Sequence, residues 1–391
     1  MDFKLSEEQQ AYQSLARQFA RNELAPNAAA WDLEQTFPIE VLRKAGELGF
    51  MGVYCPVQAG GLGLSRLDAS IVFEELAQGC TSTTAFMTIH NMATWMVAAY
   101  GPPDTVAAIC PKLASGEHLA SYCLTEPGAG SDAAALKTTA TRTEGGYRLN
   151  GTKAFISGAG ETDILVVMAR VADESGVREG AGGISTFVVR GDARGVSYGR
   201  KENKMGWNSQ PTRQVIFHDA QLKEVDRLGA EGDGFKIAMR GLDGGRINIA
   251  TCSVGTAQAA LVQAVAYMNE RSAFGEPLRS FQGLQFKAAD MATNLVAARQ
   301  MVRLAATKLD DGDAEATLFA AMAKRFATDV CFDICNDALQ IHGGYGYTKE
   351  YPLERYVRDT RVHQILEGTN EIMRVIIARK LLLEQNLDML L

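Results

Sequence analysis

Tyr147-Arg148-Leu149-Asn150-Gly151-Thr152-Lys153-Ala154-Phe155-Ile156, YRLNGTKAFI in one-letter code, marks a β region in the middle of the chain. Two short runs, Tyr147 to Leu149 and Ala154 to Ile156, flank Asn150-Gly151, a dipeptide whose tolerance of positive φ favours a tight hairpin reversal. The pattern therefore predicts a hairpin with its turn at Asn150-Gly151. Further runs rich in Val, Ile, Thr and aromatics follow at Ile164 to Ala169, Ile184 to Val189 and Gln214 to Phe217. The Gly-rich stretch Glu179 to Gly183 reads as a loop between strands. No helical periodicity separates these runs, so residues 119–228 form a β domain of barrel or sandwich type and not a βαβ series.

The pattern changes on both sides. Towards the N-terminus, Ser6 with Gln9 three residues later makes a capping box, and Tyr12, Leu15, Ala16 and Phe19 recur at helical spacing. Pro38 stands where a helix ending near Leu48 and Gly49 would place its first residue. Helical patterns continue over Leu67 to Gln78 and Thr83 to Tyr100, up to the breaker Gly101-Pro102-Pro103. Beyond the β domain, long helical segments cover Ile237 to Asn269, Gln282 to Leu309, Ala314 to Gln340 and Asn370 to Leu383, with short connections that suggest a bundle. The expected architecture is α+β and multidomain: residues 1–118 helical, 119–228 β, and 229–391 a helical bundle.

The 391 residues allow two or three domains. With 39 Lys and Arg against 46 Asp and Glu, the net charge of −7 supplies no broad positive field, which argues against nucleic acid as a partner. Seven cysteines are ordinary usage, and an odd number cannot all pair within one chain, so a reducing compartment is expected. MDFKLSEEQQ has neither an apolar signal core nor an Arg-rich transit helix. No apolar run of about 18 residues is evident, so the expectation is a cytoplasmic protein without membrane insertion.

Two short motif matches fail on context. Gly128-Ala129-Gly130-Ser131-Asp132-Ala133 fits G-x-G-x-x-A, but Pro127 interrupts the approach, position 150 is Asn and not acidic, and no crossover helix follows. Gly195-Val196-Ser197-Tyr198-Gly199 fits G-x-S-x-G, yet a polar run follows where a hydrolase elbow needs a helix. The longer segment Ser121 to Asp132, SYCLTEPGAGSD, offers backbone amides at Gly128, Ala129 and Gly130 and hydroxyls at Thr125 and Ser131. These suit a polar, anionic cofactor, although a strand ending in a Gly-rich turn would have the same composition. Cys331 and Cys335, at i, i+4 without a completing His or Cys pair, read as core residues, and no metal site is expected.

That segment, with NGTKAFISGAGETD (Asn150 to Asp163), RSAFGEPL (Arg271 to Leu278), QIHGGYGY (Gln340 to Tyr347) and RVHQILEGTNEIMR (Arg361 to Arg374), closely resembles the acyl-CoA dehydrogenase family over essentially the whole chain. The resemblance implies FAD as cofactor and the family's fold, with a C-terminal four-helix bundle. Tyr122, Cys123, Leu124, Thr125, Gly130 and Ser131 would contact the flavin ring and ribityl chain, and Phe155, Ile156 and Ser157 would form the strand behind it. Phe155 stands where many relatives carry Trp. Arg271, Phe274, Phe281, Gln282, Gln340, Ile341, His342, Gly343 and Gly344 would bind the diphosphate and adenine end from a neighbouring subunit of a homotetramer, and Thr369, Asn370 and Glu371 would also meet the cofactor. Read alone, Arg271 could equally pair with Glu270 or Glu276 at the surface.

The resemblance also implies that Glu367 is the catalytic base. It stands before Gly368-Thr369, where Thr369 can cap the last helix, with Ile365 and Leu366 as apolar neighbours. Removal of an α-proton next to a thioester needs such a base, its proton affinity raised by exclusion of water. Some relatives carry the base at the position of Gly245 instead; this sequence has no carboxylate there. Asp243, Gly244, Gly245 and Arg246, with Ser131 and Arg379, would hold the acyl-CoA, though Arg246 could simply pair with Asp243 along the helix. The implied reaction is α,β-dehydrogenation with electrons passed to electron-transfer flavoprotein. Within that family, the segments CPVQAGGLGLSRLD, GCTSTTAF, IHNM and GLDGGRINIA most resemble members that act on isobutyryl-CoA, which implies conversion of isobutyryl-CoA to methacrylyl-CoA in valine breakdown. Butyryl-CoA or 2-methylbutyryl-CoA as substrate, and a flavin-binding scaffold without turnover, are the alternatives.

Overall fold

Ser6 opens the first helix as its spacing predicts: its hydroxyl accepts the Gln9 N–H at 3.1 Å, and the Gln9 side chain accepts the Ser6 N–H at 3.0 Å. The computed structural model describes residues 4–173 and 176–383. Six N-terminal helices, α1 (Glu7–Phe19), α2 (Ala28–Glu34), α3 (Ile39–Glu47), α4 (Arg66–Gly79), α5 (Thr81–Tyr100) and α6 (Pro103–Ala114), precede the first strand. α2 and α6 lie outside the expected set. The Gly101-Pro102-Pro103 breaker also starts a helix, because proline at the first helical position gives up no hydrogen bond. Pro38 caps α3 from just outside it, one position before the expected place.

The middle domain holds β1 (Ala120–Cys123), β2 (Thr139–Thr143), β3 (Gly146–Ser157), β4 (Ile164–Asp173), β5 (Gly176–Val177), β6 (Ile184–Arg190), β7 (Val196–Tyr198), β8 (Thr212–Lys223) and β9 (Arg227–Leu228) in one nine-stranded sheet. The main order is β7-β8-β3-β2-β4-β6-β9, with β1 and β5 also paired to β4. One expectation is overturned: Asn150-Gly151 is not a turn. Both residues lie inside β3, which runs through the predicted hairpin as a single strand. Gly151, at φ 148°, sits where the pairing with β8 slips between Leu149 and Gly151, and its glycine lets the strand pass Thr138, whose Oγ1 would be 2.5 Å from any added Cβ. Asn150 ties the bulge to β8 through Asp219, donating Nδ2–H to Oδ1 at 3.0 Å and accepting the Asp219 N–H at 2.9 Å. The reversal lies upstream, at Glu144-Gly145 between β2 and β3.

The C-terminal domain begins with α7 (Gly234–Glu270), followed by the short pair β10 (Ser272–Ala273) and β11 (Glu276–Pro277), then α8 (Gln282–Asp310), α9 (Ala316–His342), α10 (Leu353–Arg361) and α11 (Asn370–Leu383). Ala250, Ala257, Ala298, Ala305, Ala323 and Ala327 are small enough to let α7, α8 and α9 close around one apolar core. α11 packs on α9, and α10 is an added helix that the sequence pattern did not announce. α7 is long and apolar enough to cross a membrane, contrary to the expectation that no segment is. Its most apolar window is 61% buried within the protein, and the helix packs against α4, α5, α8 and α9 as a core element. All seven cysteines are buried and free, and Cys331 and Cys335 lie in the C-terminal core.

Candidate active site at the domain junction

Three domains converge on the segment that follows α10. Glu367 has φ 56° and Gly368 φ 89°, so the chain turns through two consecutive left-handed residues before Thr369, whose hydroxyl accepts the Ile372 N–H at 3.3 Å to cap α11. Positive φ is unfavourable for a residue with a Cβ, and such strain persists only where the surroundings impose it. Here Arg246 of α7 donates Nε–H to the Glu367 carbonyl at 3.3 Å, and Lys324 of α9 donates to the Gly368 carbonyl at 2.8 Å.

The turn aims the Glu367 carboxyl at Gly245. A Cβ added to Gly245 would lie 2.5 Å from Oε2, so the glycine makes the space the carboxyl occupies. Oε2 is buried and has no hydrogen-bond partner within the chain. Exclusion of water pushes the Glu367 carboxyl up to about 7, while Arg246 and Lys324 pull it back. A carboxyl so poised suits general acid–base chemistry near neutral pH.

Two cavities meet at this group. One, of about 470 Å³, is lined from Ile89 and Tyr122 past Leu242 and Arg246 to Ile372, Val375, Ile376 and Arg379. The other, of about 610 Å³, runs along Lys204, Met205, Trp207, Arg358 and Ile365. Thr125, Gly130, Ser131, Phe155, Ser157, Leu366 and Glu367 line both. Phe155, at φ 57°, is 68% exposed and presents its ring to the cavities, unlike Ile156, which also lines the first cavity but is buried.

The remaining residues singled out in the sequence divide by place. Arg246 pairs with Asp243 at 2.8 Å while reaching Glu367, and Asp243 accepts the Thr317 hydroxyl at 2.7 Å, so the helical pair and the contact with the turn coexist. Gly244 packs under the buried Arg66 guanidinium. Arg271, Ile341, His342, Gly343 and Gly344 line a separate cavity of about 470 Å³ that shares no residue with the other two. Among the described residues Arg271 makes no ion pair. His342 stacks on Tyr267 with centroids 4.2 Å apart and hydrogen-bonds the Ala338 carbonyl through Nδ1, leaving a buried Nε2 with no partner in the chain. Phe274 is 96% exposed and packs on Phe281; these two, with Gln282 and Gln340, do not line that cavity. Cys123 turns into the β core, and Asn370 and Glu371 line neither junction cavity. The Asn370 side chain is buried against Lys324, Thr328 and Asp329 of α9.

Three groups that shape the site carry no role in the sequence reading. Trp207 lines both cavities at φ 56°; its N–H is held by Asp359 Oδ1 at 2.6 Å and its indole N–H by His363 Nε2 at 3.3 Å. His363 Nδ1 meets Ser253 Oγ at 2.6 Å, and burial lowers this histidine to about 3, which keeps it neutral and makes it a strut for Trp207. Lys153 and Glu126, 0% and 7% exposed, pair at 2.8 Å. Glu126 also accepts the Lys137 and Thr138 N–H groups at 2.6 and 2.9 Å, which fastens the Gly128 to Ser131 loop to β3. Lys324 is the third. A Lys within an apolar strand run and an acid beside a proline are the only hints the sequence offers for the Lys153–Glu126 pair.

Nearly all of the chain matches known proteins. Residues 6–117, 121–220 and 232–382 match the N-terminal, middle and C-terminal domains of acyl-CoA dehydrogenase. Mitochondrial isobutyryl-CoA dehydrogenase of Bos taurus is 56% identical over 380 residues, covering 97% of this chain and 90% of that one. The solved butyryl-CoA dehydrogenase of Megasphaera elsdenii superposes with TM-score 0.93 at 38% identity, over 98% of this chain and 100% of that one. A structure described as PigA with FAD and proline superposes with TM-score 0.94 at 29% identity, over 98% of this chain and 100% of that one. With a buried carboxyl at the junction of its domains, the chain belongs to the acyl-CoA dehydrogenase family and is a FAD-dependent oxidoreductase.

Proposed function

We propose that the protein oxidises isobutyryl-CoA to methacrylyl-CoA in valine breakdown, with Glu367 as the base that removes the α-proton. The observation that carries the choice of base is the unpartnered Oε2 of the Glu367 carboxyl, raised to about 7, at the meeting point of two cavities; similarity to the Bos taurus enzyme supports the choice of substrate. FAD, when bound, supplies the acceptor for the hydride that leaves the β-carbon.

The residues present fit that cofactor. Thr125, Ser131 and Ser157 offer hydroxyls and Phe155 an exposed aromatic face at the shared wall of the two cavities. The unpartnered His342 Nε2 and the Arg271 guanidinium line the third cavity, as a diphosphate and adenine site requires. That cavity is remote from Glu367 in its lining, and Phe274 and Tyr347, 96% and 85% exposed in the adjoining segments, offer apolar surface to a neighbouring copy. A homotetramer in which this cavity serves the neighbour's cofactor accounts for both features.

Glu367 takes the α-proton on Oε2, the atom with no other partner. The surrounding Ile89, Leu242, Ile372, Val375 and Ile376 exclude water and provide a short apolar wall for a branched acyl group. Arg379 at the rim and Ser131 supply polar contacts for the CoA part. Electrons then pass to electron-transfer flavoprotein. Such a chain would work in the bacterial cytoplasm, or in the mitochondrial matrix if eukaryotic; the Bos taurus relative is named as mitochondrial.

The test is anaerobic bleaching of the flavin band by isobutyryl-, 2-methylbutyryl-, butyryl- and isovaleryl-CoA. Isobutyryl-CoA is expected to be fastest. Discrimination of one methylene is worth about 1 to 3 kcal/mol, or about 10- to 200-fold. A faster butyryl-CoA would replace the substrate alone, and no bleaching by any of the four would overturn dehydrogenation by this chain.

A further inference from the structure

Two cations hold the two successive carbonyls of the strained turn. Arg246 takes the Glu367 oxygen from α7, and Lys324 takes the Gly368 oxygen from α9. The Lys324 side chain is fully buried. Its ammonium also donates to Asn370 Oδ1 at 2.8 Å, and Asn370 in turn donates to Thr328 Oγ1 at 2.9 Å and Asp329 Oδ1 at 2.7 Å. A buried ammonium with no directly bonded carboxylate is costly, and a neutral apolar residue of similar length would fill the same space without that cost. Its placement makes sense only where its charge and donors are used.

We propose that Lys324 is a positioning residue for proton abstraction: its ammonium clamps the Gly368 carbonyl and Asn370, holding the turn so that the Glu367 carboxyl stays against Gly245. The inference rests on the assignment of Glu367 as the base. The charged and titratable groups around the pair are Arg246 on α7, Asp329 on α9, Glu371 on α11, the His363 imidazole, which the Lys324 charge helps to keep neutral, and the Tyr54 and Tyr122 hydroxyls, which feel the Glu367 charge. Burial lowers Lys324 to about 7, and Glu367 is the largest influence that raises it again. Each member of the pair therefore supports the charge of the other near neutrality. Without Lys324, Glu367 holds its proton to higher pH, and the Gly368 carbonyl is released from α9.

The experiment measures kcat and KM against pH for the FAD-loaded enzyme, with Lys324→Met, Lys324→Gln, Lys324→Arg and Glu367→Gln. Lys324→Met is expected to keep its FAD and a KM for acyl-CoA within about twofold, to lose about tenfold in kcat at neutral pH, and to move the acid limb of kcat upward. Lys324→Arg, which keeps the charge, restores the limb. Lys324→Gln keeps an N–H donor without the charge and carries the test should the Met variant not fold; its acid limb also moves upward. A wild-type limb in the neutral variants, whatever their thermal stability, would leave Lys324 a merely structural residue and overturn the inference. Glu367→Gln separates this from failure of the underlying assignment: if that variant still reduces its flavin at the wild-type rate, the base lies elsewhere.

Discussion

Glu367→Gln is expected to retain bound FAD and to lose roughly 10²- to 10⁴-fold in the rate of flavin reduction by acyl-CoA, as removal of a positioned general base does. The amide has nearly the same shape, so the turn and the space beside Gly245 are kept, while the group that accepts the proton is gone. The loss should fall on kcat, because the residues proposed to hold the CoA, Ser131 and Arg379, are untouched. Rapid-mixing absorbance measurements on the two loaded proteins check this. Loss of FAD from the variant would instead mean that the Glu367 carboxyl supports the cofactor site.

The second large effect is on stability. Lys153→Met leaves the Glu126 carboxylate buried without its cation, and breaking a buried pair from one side costs about 3 to 5 kcal/mol. Lys153 also donates to the Leu124 carbonyl at 3.0 Å, so the change frees the chain on both sides of Thr125, which lines the two junction cavities. Urea unfolding should show the loss, together with a lower FAD content. Replacing both partners, Lys153→Met with Glu126→Leu, should be less damaging than the single change because no charge is stranded, although the Lys137 and Thr138 N–H groups then lose their acceptor.

The architecture was legible because long elements carry strong periodicity. The capping box at Ser6, α4, α5 and the four segments of α7, α8, α9 and α11 appear where the apolar spacing puts them. The elements that escaped are short or weakly patterned. α10, with Leu353, Tyr356, Asp359 and Thr360 as its buried residues, is mostly charged and holds its place through Arg358, whose guanidinium reaches Asp32 of α2 at 2.6 Å. Asn150-Gly151 misled because the freedom of glycine at positive φ serves a bulge as well as a reversal, and the pairing of β3 with the distant β8 chose the bulge.

The site divides in the same way. Glu367 stands in a contiguous segment whose residues resemble a family motif, and the positions around Phe155 and Ser131 do likewise. Lys324, Trp207 and Lys153 were not legible as site residues because each acts through partners remote in sequence: Lys324 through Gly368, Trp207 through Asp359 and His363, and Lys153 through Glu126. A buried lysine has no periodic signature, and the partner that would explain it is known only once the chain is folded.

In the proposed reaction the Glu367 carboxyl, raised to about 7, removes the α-proton from a bound acyl-CoA. Only the ionised form of Glu367 can accept that proton, so its activity is present above that pH and fades below it. The most direct measurement is the anaerobic rate of flavin reduction by isobutyryl-CoA, with and without deuterium at the α-carbon, across the pH range around 7. The rate is expected to rise with pH through that value and to be slowed several-fold by α-deuterium. A rate that neither changes with pH nor responds to the isotope would contradict the proposed reaction.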